Sequence, residues 1–231
     1  MRVVRAAVPL SLVLAACASP GRRMAIDVPP ASAPSAQQAV AAEVGRLLSA
    51  DPGAAKEAEA RLTGLDAAGR ALLAEHARRI PDERDPRWRH VLDENGLASG
   101  LSPADRLDLN LWRIARPEPA MVLKGQAGLL DLARASGDLL VARLKDPGPG
   151  RDAIALALAS AGREESVPAL IDLFRDPANP GERRAAAEAI AALTDGTVRP
   201  RTDATEEEVV RDVARTQAWW QERQGGADGG P

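Results

Sequence analysis

Leu140-Val141-Ala142-Arg143-Leu144-Lys145-Asp146-Pro147 and Leu170-Ile171-Asp172-Leu173-Phe174-Arg175-Asp176-Pro177 are two versions of one phrase, thirty residues apart. Each is an apolar run that closes on Asp-Pro. Proline disfavours helix in the residue before it, so each run stops there. The segments after the prolines repeat too, at an offset of thirty-two: Arg151, Ala153, Ala157 and Leu158 correspond to Arg183, Ala185, Ala189 and Ile190. Between Gly137 and Asp195 the unit is therefore an apolar helix, an Asp-Pro turn and an Ala-rich helix opening on Arg. Alanines on the second helix permit close helix approach. A single helix pair cannot bury its apolar face, so the units must stack.

This unit resembles short HEAT-like repeats, of the kind found in bilin-lyase-type HEAT families. The likeness is good over 137–195 and absent from 81–120. Over 37–80 it is weak: Leu47-Leu48, Asp51-Pro52, Ala58 and Leu62 look like a degenerate earlier unit. The period is shorter than the ~40 to 47 residues of full HEAT units. The resemblance implies an all-α fold, a short α-solenoid of stacked helix pairs whose extended concave surface binds other polypeptides. It also leaves open a small-molecule-binding or lyase-like role, because bilin-lyase-like proteins handle small chromophores.

Working outward, helical pattern begins near Gln37. Val40, Val44, Leu47 and Leu48 form one stripe, and further helices are expected over Gly53–Thr63 and Asp66–Ile80. Residues 81–100, PDERDPRWRHVLDENGLASG, have no clean period and read as an irregular, solvated connection in which Arg84, Arg87 and Arg89 alternate with Asp82, Glu83, Asp85, Asp93 and Glu94. Ser102-Pro103-Ala104-Asp105 then supplies an N-cap, a proline at the first helical position and an acid in the first turn. Leu107, Leu109 and Leu111 alternate like a strand, whereas Leu107, Leu111 and Ile114 fit a helix; the cap decides for helix. Another helix runs from about Glu118 to Ala135. Thr205 and Glu208 form a capping box, and Trp219-Trp220 reads as the closing cap of an array over 101–223, one ring packed and the other at the rim. Residues 224–231 read as a frayed tail.

The first seventeen residues, MRVVRAAVPLSLVLAAC, carry a different message. Arg2 and Arg5 precede an apolar run from Ala6 to Ala16, too short at ~1.5 Å per residue for a ~30 Å hydrocarbon layer and suited to a secretory signal. Leu14-Ala15-Ala16-Cys17 resembles the lipobox of bacterial lipoproteins. That resemblance implies cleavage after residue 16, acylation of Cys17 and anchorage in a bacterial envelope membrane, and Ala18 resembles the sorting residue of lipoproteins sent to the outer membrane of Gram-negative cells. Several acyl chains, at ~0.8 kcal/mol per buried CH₂, hold such a protein almost irreversibly. Residues 17–36, with Pro20, Pro29, Pro30 and Pro34, read as a disordered tether that reaches ~60 Å at ~3.1 Å per residue.

The chemistry that remains is mostly exclusion. Past residue 16 the chain has 28 basic and 33 acidic side chains, a net charge of −5 and no electrostatic footprint for nucleic acid. Cys17 is the single cysteine, so no internal disulfide forms. His76 and His90 lie fourteen residues apart, and Glu75-His76 has no second ligand at helical spacing, so no metal site is expected and both histidines default to the surface. No nucleophile elbow, P-loop or dinucleotide fingerprint is present. No catalytic residue and no cofactor is expected. The best place for a partner-binding hot spot is Arg87, Trp88 and His90 with Trp112, since Trp and Arg are enriched at such spots, although Trp88 folding back on the helices competes with that reading. The expectation is a non-enzymatic scaffold for an envelope protein, with a passive spacer as the bland alternative.

Overall fold

The computed structural model describes residues 35–227. The expected signal peptide, Cys17 and the tether as far as Pro34 lie outside the described residues, as do the last four residues. Among the described residues there are eleven α-helices and two 3-10 turns, and no strand occurs.

Prolines punctuate the chain as much as apolar residues do. Helix α1 (Ala36–Leu47) starts from a capping box between Ser35 and Gln38. Helix α2 (Pro52–Thr63) starts with the Asp51 carboxylate accepting from the backbone N–H of Gly53 and Ala54, and α3 (Ala67–Arg79) with Asp66 accepting from Gly69. Helices α4 (Pro86–Glu94), α5 (Pro103–Ile114) and α6 (Pro119–Ala135) each place proline at the first helical position, where its missing N–H costs nothing. Ser102 and Asp105 cap α5 reciprocally, so Leu107 and Leu109 are both buried on a helix rather than alternating along a strand.

The repeated phrase folds into equivalent elements. Helices α7 (Gly137–Lys145) and α9 (Val167–Arg175) both end on an aspartate in extended conformation, Asp146 and Asp176, immediately before proline. Their partners α8 (Arg151–Ser160) and α10 (Pro180–Leu193) bury alanines: Ala155 and Ala157 on α8, Ala185, Ala186 and Ala189 on α10. Gly150, which opens α8, has a φ of 82°, and a Cβ there would sit 2.6 Å from a Leu111 methyl. Helix α11 (Glu206–Ala227) begins after the Thr205–Glu208 capping box, with the Thr205 N–H donating to Glu208 at 2.8 Å. Helix α8 packs on α6 and α10, and α9 packs on α7 and α11, while α7/α8 and α9/α10 pair with each other.

Two apolar clusters result. The first gathers Val40, Val44 and Leu47 with Leu62, Leu73 and Trp88. The second runs from Leu107 through Leu140, Ile154, Leu170 and Ile190 to Val213. Each fully buried Leu or Ile contributes ~1.5 to 3 kcal/mol, so aliphatic packing dominates both. Arg151 bridges consecutive repeats by pairing with the buried Glu182 of α10, with Asp176 also at 3.5 Å. Arg163 donates to the carbonyls of Ala133 at 2.7 Å and Arg134 at 2.5 Å, satisfying acceptors that the end of α6 leaves open. Trp219 and Trp220 are both half-buried on the second cluster, their rings stacked 6.4 Å apart, instead of one packed and one free.

The clearest correction concerns residues 81–100. Where an irregular, solvated connection is expected, α4 occupies Pro86–Glu94 and buries five consecutive residues, Trp88 to Leu92. Asp85-Pro86 is the same starting signal as Ser102-Pro103. The apolar period is hidden because Arg89 and His90 reach the interior as paired polar groups, and such residues count as surface in any hydropathy pattern.

Candidate functional site

The four hot-spot candidates lie on α4 and α5, where the two clusters meet. Arg87 is occupied locally. Its guanidinium folds back on the Asp85 carboxylate at 2.6 Å and donates to the Ser49 carbonyl at 3.3 Å, fastening the start of α4 to the end of α1. Burial alone would raise the Asp85 carboxyl, but the hydrogen bonds from Arg87 outweigh it and hold that group below its usual range. Trp88 is 2 % exposed and packs edge-to-face on His76, centroids 6.2 Å apart. It is a core residue of the first cluster, so it presents no surface to a partner. His76 is half-buried against it.

His90 and Trp112 do come together, their rings 5.5 Å apart. His90 is 5 % exposed rather than a surface residue. Its Nδ1 stands 3.1 Å from an Arg113 amino group. Arginine only donates, so Nδ1 accepts and the ring proton sits on Nε2, which faces Glu59 at 3.6 Å. Burial and then the Arg113 charge push the His90 imidazole down to about 4. Arg113 itself is 4 % exposed and donates to Asp93 at 2.5 Å. Lys124 of α6 completes the cluster, donating to Glu94 at 2.5 Å and lying 3.2 Å from Asp93. Burial would lift the Asp93 carboxyl, but hydrogen bonds from Arg113 and Lys124 bring it below its ordinary value. Glu59 moves the other way: burial raises it, and Arg116 at 3.7 Å offsets only part of that. Arg116 also lies over the Trp112 ring at 4.9 Å.

A second tie runs beside the first. Arg89, buried like Arg113, donates to Asp105 at 2.5 Å and lies 3.5 Å from Asp108. Asp105 therefore both caps α5 and holds α4, and hydrogen bonding from Ser102, then the Arg89 charge, keep its carboxyl low.

Chemically this arrangement orders a joint. A neutral imidazole with so depressed a proton affinity is far from the value that suits a general base at neutral pH, and it is closed off by Trp112 and Arg113. The charges neutralise one another across α2, α4, α5 and α6. Among the described residues no group of three His, Cys, Asp or Glu side chains is placed to hold a metal ion, and no helix is long and apolar enough to cross a membrane.

Next to the joint opens a cleft of about 620 Å³ between the end of α4, the 3-10 turn Ala98–Gly100, α5 and α6. Sequence reasoning nominates none of the residues that line it. Helix α6 approaches α5 closely because Gly125 faces the Asn110 carbonyl, where a Cβ would come within 2.7 Å, and because a Cβ at Gly128 would collide with the Asn110 carboxamide. Two glycines three apart on one helix face are the sequence signal that points to this approach.

No protein-family model matches the chain, and searches of curated proteins and of solved structures return no match either.

Proposed function

We propose that the protein is a membrane-tethered scaffold: a short HEAT-like α-solenoid held to a bacterial envelope membrane through acylated Cys17, which binds an envelope protein and catalyses no reaction. In a Gram-negative cell its place is the periplasmic face of the outer membrane. The observation that carries the reading is the coincidence of sequence repeat and packing repeat. The two Asp-Pro-terminated phrases become α7 and α9, which pack on each other, and the Ala-rich segments become α8 and α10, which do the same. Arrays of this kind present extended surfaces to polypeptides. The lipobox-like LAAC sequence at 14–17 supports the anchor. The only two histidines are taken up elsewhere, His90 in an ordered joint and His76 against Trp88, which favours binding over chemistry.

The test is in-cell proximity cross-linking of the full-length protein beside a Cys17→Ala control, read by mass spectrometry. A short partner set seen only with the intact cysteine is the expected result. Membrane attachment together with an empty partner set would overturn the scaffold in favour of small-molecule binding or a spacer.

A further inference from the structure

The arginine that opens each Ala-rich helix has a partner in the first repeat and none in the second. Arg151 of α8 is met by two carboxylates of the following unit, Glu182 and Asp176. Arg183 is its counterpart on α10, thirty-two residues on. No further unit follows it, and α11 packs on α9 instead. Four arginines keep an Nε closed off from solvent and without a hydrogen bond among the described residues: Arg113, Arg116, Arg151 and Arg183. The first three pair with a carboxylate through another nitrogen, Arg113 with Asp93, Arg116 with Glu59 and Arg151 with Glu182. Arg183 is partly buried and pairs with no carboxylate among the described residues. A guanidinium withdrawn from water without a counter-charge costs free energy.

Arg183 lines a pocket of about 330 Å³ between α9, α10 and α11. Arg175, the last residue of α9, lines it too, exposed and likewise without an ion pair among the described residues. Glu206, at the start of α11, is the one acid of the wall and pairs with neither arginine. Two cations and one anion leave a surplus of one positive charge. A single carboxylate cancels it, a phosphate group at ~−1.5 to −2 overshoots it, and a cation adds to it. Carboxylate is also what the fold itself sets against the equivalent Arg151, and the guanidinium fork of N–H donors matches it. Beside the arginines the wall offers open hydrocarbon: Val210, 68 % exposed, and Ala214 one turn further along α11. Sites for small molecules enclose most of their ligand. A wall with its main apolar residue so exposed does not, and it suits a side chain already carried on a larger surface. We propose that this pocket receives an acidic side chain of a partner polypeptide, its carboxylate taking the place at Arg183 that Glu182 takes at Arg151, with Arg175 alongside and an aliphatic neighbour of that side chain lying on Val210. The assignment rests on the scaffold reading: it names the place where the partner is held and the chemistry that holds it.

The full chain carrying Cys17→Ala is labelled with ¹³C at its valine methyls, the Val210 signals being those lost in Val210→Ala. It is titrated with acetyl-Leu-Ala-Glu-amide, with the Gln counterpart of that peptide, with butyrate and with inorganic phosphate. The expected result is a saturable shift at Val210 with the Glu peptide, about tenfold weaker with the Gln peptide and in Arg183→Met, while Val40 and Val44 of the first cluster hold still. Arg183→Met gives up no internal partner, so its urea midpoint should match or exceed the parent's. No saturable shift, an equal response to the Gln peptide, or butyrate or phosphate as effective as the Glu peptide would each overturn the proposal. So would a urea midpoint for Arg183→Met lowered as far as that of Arg151→Ala. Cross-linked partners that persist in cells with Arg183→Met would remove the pocket assignment while leaving the scaffold intact.

Discussion

Replacing His90 by Gln isolates what a buried neutral imidazole does to stability. In the folded protein His90 titrates at about 4 against 6.5 in an exposed chain, because burial and Arg113 both oppose its charging. The unfolded state therefore takes up a proton, as pH falls through 6.5, that the folded state refuses until about 4. Stability carried by this residue is intact above the unfolded value and drains away below it. From those two values, lowering the pH from about 7.5 to about 5 costs ~2 kcal/mol, and the full loss below about 4 approaches ~3 kcal/mol. The carboxylates held low, Asp85, Asp93 and Asp105, act in the same direction but only nearer their own lower range, and Glu59, raised by burial, acts against them. Urea unfolding followed by circular dichroism should show the parent losing about 2 kcal/mol more than His90→Gln between those two pH values, whatever the variant's own baseline. Equal pH dependence in the two proteins would refute the placement of His90 as a buried, uncharged acceptor of Arg113.

The same packing sets further expectations. Arg113→Met removes the donor to His90 and leaves Asp93 with Lys124 alone; a loss of about 3 kcal/mol is expected in urea unfolding, and imidazole NMR should show His90 titrating at higher pH. Gly125→Ala drives a methyl against the Asn110 carbonyl and should cost about 2 kcal/mol despite alanine's better helix propensity, read as a lower Tm. Trp88→Ala empties the centre of the first cluster and should cost about 3 to 5 kcal/mol by urea unfolding. Arg151→Ala leaves the buried Glu182 carboxylate without its half-buried partner and should cost about 2 to 3 kcal/mol in the same assay, and a double-mutant cycle with Glu182→Gln should show coupling rather than additivity.

The all-helical character was legible because its signals are local. Ser102-Pro103 and Thr205 with Glu208 announce helix starts within four residues, Asp51-Pro52 reads as the break after the first helix and also caps the second, and Val40, Val44 and Leu47 show which face turns inward. Helix α4 was hidden for the opposite reason. Its interior is half ionic, and whether Arg89 is solvated or buried depends on Asp105 sixteen residues away, a partner that no window on the chain can see. The hot-spot candidates suffered the same fate in part. Trp112 and His90 are neighbours, but Arg87 is consumed by its own helix cap and Trp88 by the core. The place of Asn110 left no trace among Leu109 and Leu111, because it is set by the room that Gly125 and Gly128 make for it on another helix.

Tryptophan placement makes the molecule self-reporting. With no tyrosine and one phenylalanine, its near-ultraviolet emission belongs to four indoles. Trp88 sits inside the first cluster, Trp112 beside the charged joint, and the Trp219–Trp220 pair on the second cluster. Each therefore senses a different part of the fold. Should the two halves melt separately, the fluorescence of the unlabelled protein would register it as two steps, Trp88 marking one and the stacked pair the other, and a joint that couples them would merge the steps into one.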